Sequence, residues 1–191
     1  MKKILIFISV ITALSFTDTF VGKTSVTITP NSKLLIIGKT NVNTFKCQYD
    51  VLKLNKPIAV SFKKRGNKIN FDKTTLVLDN INFDCGGIGI NNDFHELLKT
   101  KSHPQVLLKL KEINKDPNNE SIVQALVDLE IAGITKSYEV PVSLKENGIM
   151  FIKGVLALNI RDFNLEPPKK ALGMIVVKDV IEINFELAIK K

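Results

Sequence analysis

The sequence predicts an all-β domain carrying one short helix. Three observations predict it. Apolar and polar residues alternate with period two along most of the chain, as strands with one buried face require. Clusters of turn formers (TPNS, LNKP, KRGN, NKDPNNE, IAGIT, KENG, EPPKK) separate these runs at short intervals. Only NNDFHELLKT, residues 91–100, changes to helical spacing.

The first segment stands apart from the fold. Met1-Lys2-Lys3 is basic, ILIFISVITALSF is apolar and uncharged, and TDTFVGKT turns small and polar. This is the three-part layout of a secretory leader. The apolar run is shorter than the ~20 residues that span a bilayer as a helix. Ala13 and Ser15 place small residues where cleavage needs them, so cleavage is expected after Ser15, with Thr19 as second choice. Residues 1–22 are therefore set aside, and residues 23–191 are expected to form one domain outside the cytoplasm, periplasmic or secreted. About 170 residues bury a core without many covalent staples.

Strands are expected at Ser25–Ile28, Ser32–Gly38, Val42–Val51, Ile58–Phe62, Lys68–Phe71 and Thr74–Phe83. The helix comes next, with Phe94, Leu97 and Leu98 on one face and Asn91 or Asn92 placed to cap its start. In VLLKLKEI, Val106, Leu108 and Leu110 oppose Lys109 and Lys111. SIVQALVDLEIA sets Val123, Ala125, Val127, Leu129 and Ile131 on one side. SYEVPVSL alternates Tyr138, Val140, Val142 and Leu144 against Ser137, Glu139, Pro141 and Ser143. Glu146-Asn147-Gly148 is a tight hairpin turn. IMFIKGVLALNI is apolar on both faces, and includes Leu156 and Leu158. In the last run Ile175, Val177, Ile181, Ile183, Phe185, Leu187 and Ile189 face one way. One strand from Ile175 to Ile189 would run about 45–50 Å. Tilted by ~40°, it would make a tube about 35 Å tall. Such strands at short connections suit a closed barrel or a sandwich. The inward inventory is almost entirely Ile, Leu, Val and Phe, so the tube is either filled by its own side chains or holds a long apolar ligand.

The formal net charge is +8, from 27 Lys and Arg against 19 Asp and Glu. Arg65 and Arg161 are the only arginines, Trp is absent, and the lysines are scattered. Bidentate reading of bases favours Arg, and base stacking needs aromatic platforms, so nucleic-acid binding is set aside. The lysines are read as a solvated surface with weak attraction to anionic membranes.

NFDCGGIGINNDFHELL, residues 82–98, holds the most suggestive chemistry. An even pair of cysteines in an exported protein reads as a disulfide, and Cys47 and Cys85 have only one intramolecular pairing. Closing that loop would stabilise by about 3–4 kcal/mol in the chain-entropy model. His95 and His103 lack the spacing of zinc ligands, so no metal is expected. A catalytic Cys85 would need a base in reach and a third group to orient it, and none is visible. Gly86, Gly87 and Gly89 match neither phosphate-loop pattern, and are read as a turn with positive φ. His95 is expected on the solvent side and His103 in a loop. Arg161 beside Asp162 is read as an ion pair holding the RDFNLEPP corner or as a contact to a ligand headgroup. Asp179 falls on the nominally apolar face of the last strand. It needs a partner there, with Arg161 the natural candidate, or else meets a ligand head.

LEIAGITKSYEVPV (129–142) resembles the "LTI.GvTk.v.lPv" segment of the YceI-like family. LNIRDFNLEPPKKALGMIVVKDVIEINFELAIKK (158–191) resembles that family's C-terminal pattern, an Arg-x-Phe segment, a loop, then "V.D.V.I.i...a". TPNSKLLIIGKTNVNTFKCQY (29–49) and FDCGGIGINNDFHELLKTKSHPQVLLKL (83–110) resemble a branch of the family with a cysteine at each of these places. The resemblance implies an extended, eight-stranded, antiparallel lipocalin-like barrel with the short helix as a lid formed by Phe94, Leu97 and Leu98. It also implies an exported carrier of polyisoprenoid chains or related amphiphiles. The expected lumen residues are Leu108, Leu110, Val127, Leu129, Ile131, Val140, Val142, Leu156, Leu158, Ile181, Ile183 and Phe185. No cofactor beyond such a lipid is expected, and no enzyme activity. The alternatives are a structural or stress-related β-domain with a self-filled core that acts through protein contacts, and an enzyme using His95 or Asp179 at the barrel mouth.

Overall fold

A computed structural model describes residues 19–116, 119–167, 169–170 and 175–191. In chain order the elements are β1 (Thr19–Ile28), β2 (Lys33–Lys39), β3 (Thr44–Tyr49), a 3-10 turn at Val51–Lys53, β4 (Ile58–Arg65), β5 (Lys68–Asp72) and β6 (Thr75–Asp79). Next come a 3-10 turn at Asn80–Asn82, β7 (Phe83–Asp84), α1 (Ile88–Leu97), β8 (Gln105–Asp116), β9 (Asn119–Ile131), β10 (Ile134–Asn147) and β11 (Ile149–Asn159). The chain closes with a 3-10 turn at Ile160–Phe163, β12 (Lys169–Lys170), β13 (Ile175–Val176) and β14 (Val180–Lys190).

The wall is an antiparallel ring of eight strands built at two levels. Five long strands, β8, β9, β10, β11 and β14, are consecutive neighbours and serve both levels. Near the helix, Gln105–Lys109 of β8 pair with β6 and Glu182–Glu186 of β14 pair with β2. β2 pairs with β3, and β3 with β7, which continues β6 past a 3-10 turn. At the far level Glu112–Asn114 of β8 pair with β5, Ile189 and Lys190 of β14 pair with β1, and β4 joins β1 to β5.

A β-bulge between Leu110 and Glu112 marks where β8 changes partner. One extra residue bends the strand and re-aims the side chains beyond it. The inward positions shift from Val106, Leu108 and Leu110 to Ile113, and Lys111 turns out to pair with Asp128 at 3.6 Å. The period-two pattern of the sequence carries no sign of this shift.

The last strand departs most from expectation. It begins at Val180, not Ile175. Ile175 and Val176 pair with β12, Val177 bridges to Thr40, and Lys178 N–H donates to the Lys39 carbonyl at 2.8 Å. The β2–β3 turn thus captures the segment before β14. Eleven residues span about 36 Å, or about 28 Å along a barrel axis at ~40° tilt, shorter than the 15-residue strand would give. β1 departs in the opposite direction. It starts at Thr19, six residues before the strand expected from Ser25 and within segment 1–22, because Phe20 and Val21 pair with Lys64 and Lys63. The rest of that segment, with the cleavage expected after Ser15, lies outside the described residues.

Three glycines face phenylalanines directly across the ladder: Gly22 and Phe62, Gly38 and Phe45, Gly154 and Phe185. In each pair the ring lies over the glycine. A Cβ placed on Gly154 would come within 2.5 Å of the Phe185 ring. The ring takes the space a side chain would fill, which lets the wall bend tightly there without a void.

Candidate functional site

Paired residues directly opposite in a ladder share a face, so the register fixes which side chains point into the ring. All twelve expected lumen residues point inward and join one apolar cluster. They divide by wall. Val127, Leu129, Ile131, Val140, Val142, Leu156 and Leu158, on β9, β10 and β11, are buried. Leu108 and Leu110 on β8, and Ile181, Ile183 and Phe185 on β14, are only half-buried. Leu108, Ile183 and Phe185 lie where their strands have paired neighbours on both edges. Their accessible surface therefore faces the interior.

Toward the far end the accessible lining widens. Val60, Phe62, Ile69 and Phe71 of β4 and β5 are half-exposed, as are Ile113, Leu144 and Ile152. Phe20 is 60% exposed and shares their face. Its ring lies 6.0 Å from that of Phe62, which lies 6.2 Å from Phe71, so aromatic edges mark this mouth.

The helix end is closed. Phe94 and Leu98 are buried, and Leu97 packs half-buried against the same cluster. Phe94 meets Phe83 edge-on at 5.3 Å, and Phe83 meets Tyr49 at 4.9 Å. Burial pushes the Tyr49 phenol above its usual range; its oxygen accepts from Asp79 N–H and the Asn82 amide, both at 3.3 Å. Cys47 and Cys85 are joined, with Cα atoms 3.9 Å apart, so no Cys85 thiol is available as a nucleophile. The loop before the helix is pinned by two polar groups. Asn91 accepts from Cys85 N–H at 2.6 Å and donates to Asp84 at 3.0 Å, while Asp84 accepts from Gly86 N–H at 2.9 Å. These bonds hold the Asp84 carboxyl below the usual carboxylate range, with the Gly86 N–H first among the causes.

Several expectations change here. The helix starts at Ile88 with Gly87 at its N-cap, so Asn91 reaches back from the first turn and caps the preceding loop. Of the three glycines only Gly86 adopts positive φ, at 89°; Gly87 is extended and Gly89 is helical. His95 is half-buried and not on the solvent side, with Nε2 shielded and without a hydrogen-bond partner. Its ring lies 6.4 Å from that of Phe94. His103 lies in the loop as expected, its ring against Gly133. Among the described residues, no three His, Cys, Asp or Glu side chains gather to hold a metal ion.

Arg161 pairs with Asp179 at 3.1 Å and with Glu166 at 3.7 Å. Asp162, its sequence neighbour, instead accepts from the Tyr138 hydroxyl at 3.4 Å. Asp179 precedes β14 in a bend and is half-exposed, so it does not extend the apolar face of that strand. Its carbonyl accepts from Ile160 N–H at 2.9 Å, so backbone and side chain together tie the corner to β14.

Three features escaped the sequence reading. Asn80, almost fully buried, donates to the His103 carbonyl at 2.8 Å and ties the loop after the helix to the wall. Tyr138 faces inward and stacks on Phe163 at 6.3 Å; burial first, then the Asp162 charge, raises its phenol. A cleft of about 350 Å³ lies at the seam between the two levels, lined by Ile28, Thr29, Val51, Leu52 and Lys190 among others. Ile28, one of its lining residues, belongs to the apolar core. An asparagine within a strand-like run is the one sequence signal that points to the first of these.

The profile of the YceI-like domain matches residues 38–189. A crystal structure of BcnA from Burkholderia cenocepacia superposes with a TM-score of 0.61 at 19% identity, covering 84% of this chain and 96% of that one. A polyisoprenoid binding domain from Saccharophagus degradans, implicated in plant cell wall breakdown, gives a TM-score of 0.61 at 13% identity, covering 87% and 97%. No curated protein sequence matches the chain. At these identities the likeness is one of fold, and it extends over nearly the whole of both structures. By its profile match across the greater part of its length, this chain belongs to the YceI-like domain family.

Proposed function

We propose that the protein binds one long apolar amphiphile, an isoprenoid, quinone or fatty-acyl chain, inside the ring, and shields it from water outside the cytoplasm. The carrying observation is the accessible inward surface of Leu108, Ile183 and Phe185, at positions paired on both sides. A self-filled core would have covered it, because protein interiors pack at crystal density. The polyisoprenoid binding domain from Saccharophagus degradans supports the ligand class.

The chain would enter at the far mouth, past Phe62 and Phe71, and lie along the β8 and β14 sides. The packed β9–β10–β11 wall forms its bed. Each methylene moved from water to this lining gains about 0.8 kcal/mol. The helix end then serves as a floor, and its Arg161–Asp179 pair holds a corner and does not meet the headgroup. Cys85, held in its disulfide, offers no nucleophile, which supports the reading of a carrier.

Two measurements test this. An organic extract of the purified protein is expected to contain one dominant long-chain lipid by mass spectrometry. Delipidated protein, titrated with fluorescent analogues, should bind more tightly as chain length increases, up to a plateau. Equal affinity for short and long chains would instead support a self-filled β-domain acting through protein contacts. The burial of seven of the twelve inward residues is the observation favouring that second reading.

A further inference from the structure

The tip of the β4–β5 hairpin carries a cluster of positive charge. Lys63, Lys64, Arg65 and Lys68 fall within six residues, and all four are exposed. Lys68 is paired with Glu112 at 2.8 Å. Beside this tip, β1 sets two apolar side chains against the cations. Phe20 lies opposite Lys64 and Val21 opposite Lys63, and they are 60% and 56% exposed. Phe20 shares the inward face with Lys64, and Val21 the outward face with Lys63, so both faces of the tip mix apolar bulk with positive charge. A basic fringe around aromatic and aliphatic groups is the composition that partitions into an anionic membrane interface.

The surroundings of the tip agree with this. It borders the end where the inward lining is half-exposed, opposite the end closed by α1. Along Thr19–Val26 the ladder pairs β1 with β4 alone, so the wall is open along that edge. Thr19, the first residue of β1, lies at this same end, opposite Arg65.

We propose that the β1–β4–β5 tip seats the open end of the barrel on an anionic bilayer surface, with Phe20 and Val21 in the interface and Lys63 and Lys64 against lipid phosphates. This gives the proposed carrier a docking face that brings its mouth to the membrane. It rests on the carrier reading only for the purpose of docking. The surface itself requires no ligand in the ring.

Protein recovered after export, its N-terminus confirmed by mass, would be sedimented with phosphatidylcholine vesicles containing or lacking about one-third phosphatidylglycerol. Binding to the anionic vesicles is expected, and it should weaken steeply with salt. K63E/K64E should reduce it by roughly 25-fold or more, at about fivefold for each surface charge lost. Phe20→Ser should remove the binding that survives at high salt. K101E/K178E makes the same charge change at the helix end and should leave binding intact. Circular dichroism melts would confirm that each variant is folded. Equal loss in both double variants would overturn the proposal, because binding would then follow net charge alone. Equal binding to neutral vesicles would overturn it too, as would a dimer in sizing whose β1 amides are protected from exchange, which would assign the tip to a second copy. Vesicle binding by protein that yields no extractable lipid and binds no chain would sink the carrier reading and leave the docking face standing.

Discussion

Gly154 and Phe185 show how much a single pair contributes to this wall. The ring of Phe185 occupies the space over Gly154, so any side chain at 154 must displace it. Gly154→Val is expected to destabilise by about 1–3 kcal/mol through overpacking, and Phe185→Ala by about 3–5 kcal/mol through the cavity it leaves. If ligand occupies that side of the ring, delipidated Phe185→Ala should also bind long chains differently, while Gly154→Val lowers the melting temperature in both states. Asp84 gives a prediction in pH. Its carboxyl is held below the ordinary range by Gly86 N–H and Asn91. A lowered folded value means stability present above about pH 4 and lost as the pH falls through the native value. An NMR titration should find the Asp84 midpoint low in the native protein and nearer ordinary in Asn91→Ala. An unshifted midpoint in both would show the loop is not held this way. The cysteine pair could be read from the sequence because only two cysteines exist. The three Gly–Phe pairs could not, because register between distant strands decides who faces whom.

At the scale of elements, alternation identified the strands and their inward residues well, and failed where the chain changes partner. The expected strand from Ile175 broke at Val180 because Thr40 and Lys39 offered the preceding residues other hydrogen bonds. Asp179 therefore leaves the apolar face, which assumed a strand running through it, while its expected partner Arg161 stands at 3.1 Å. Phe94, Leu97 and Leu98 mark the helix, yet its start lies four or five residues earlier than expected, because Gly87 and not Asn91 or Asn92 caps it. Phe94 is buried against Phe83, so Phe94→Ala should cost about 3 kcal/mol or more, beyond what a loosely held lid would lose. The same change should speed lipid exchange measured by stopped-flow displacement. Unchanged exchange in a folded Phe94→Ala protein would mean that α1 is a fixed floor.

For the whole molecule the sharpest contrast lies within β9. Val127 points inward and is buried, while Asp128 points outward, accepting from Ser137 at 2.6 Å and facing Lys111. Val127→Asp puts a carboxylate into the apolar interior and should abolish chain binding in whatever fraction still folds. Asp128→Val loses one exposed ion pair, worth at most about 1 kcal/mol, and should bind almost as the parent does. Unchanged affinity in a folded Val127→Asp protein would place the ligand outside the ring. The two-level wall has a further consequence, in the order of assembly. Both levels close on β14, the most C-terminal strand of the domain: β2 docks on its first half and β1 on its last two residues. β1 and β2 lie at the opposite end of the sequence, so no ring exists at either level until the domain has been made in full. The hairpins of β8 to β11 are free to form early from local contacts, but they leave an open sheet with two bare edges. Pairing across such sequence separations is slow, because loop-closure entropy comes before the reward. One late event, the docking of β14, joins the half-made sheet into a ring at both levels together, with the β1 edge along Thr19–Val26 still open.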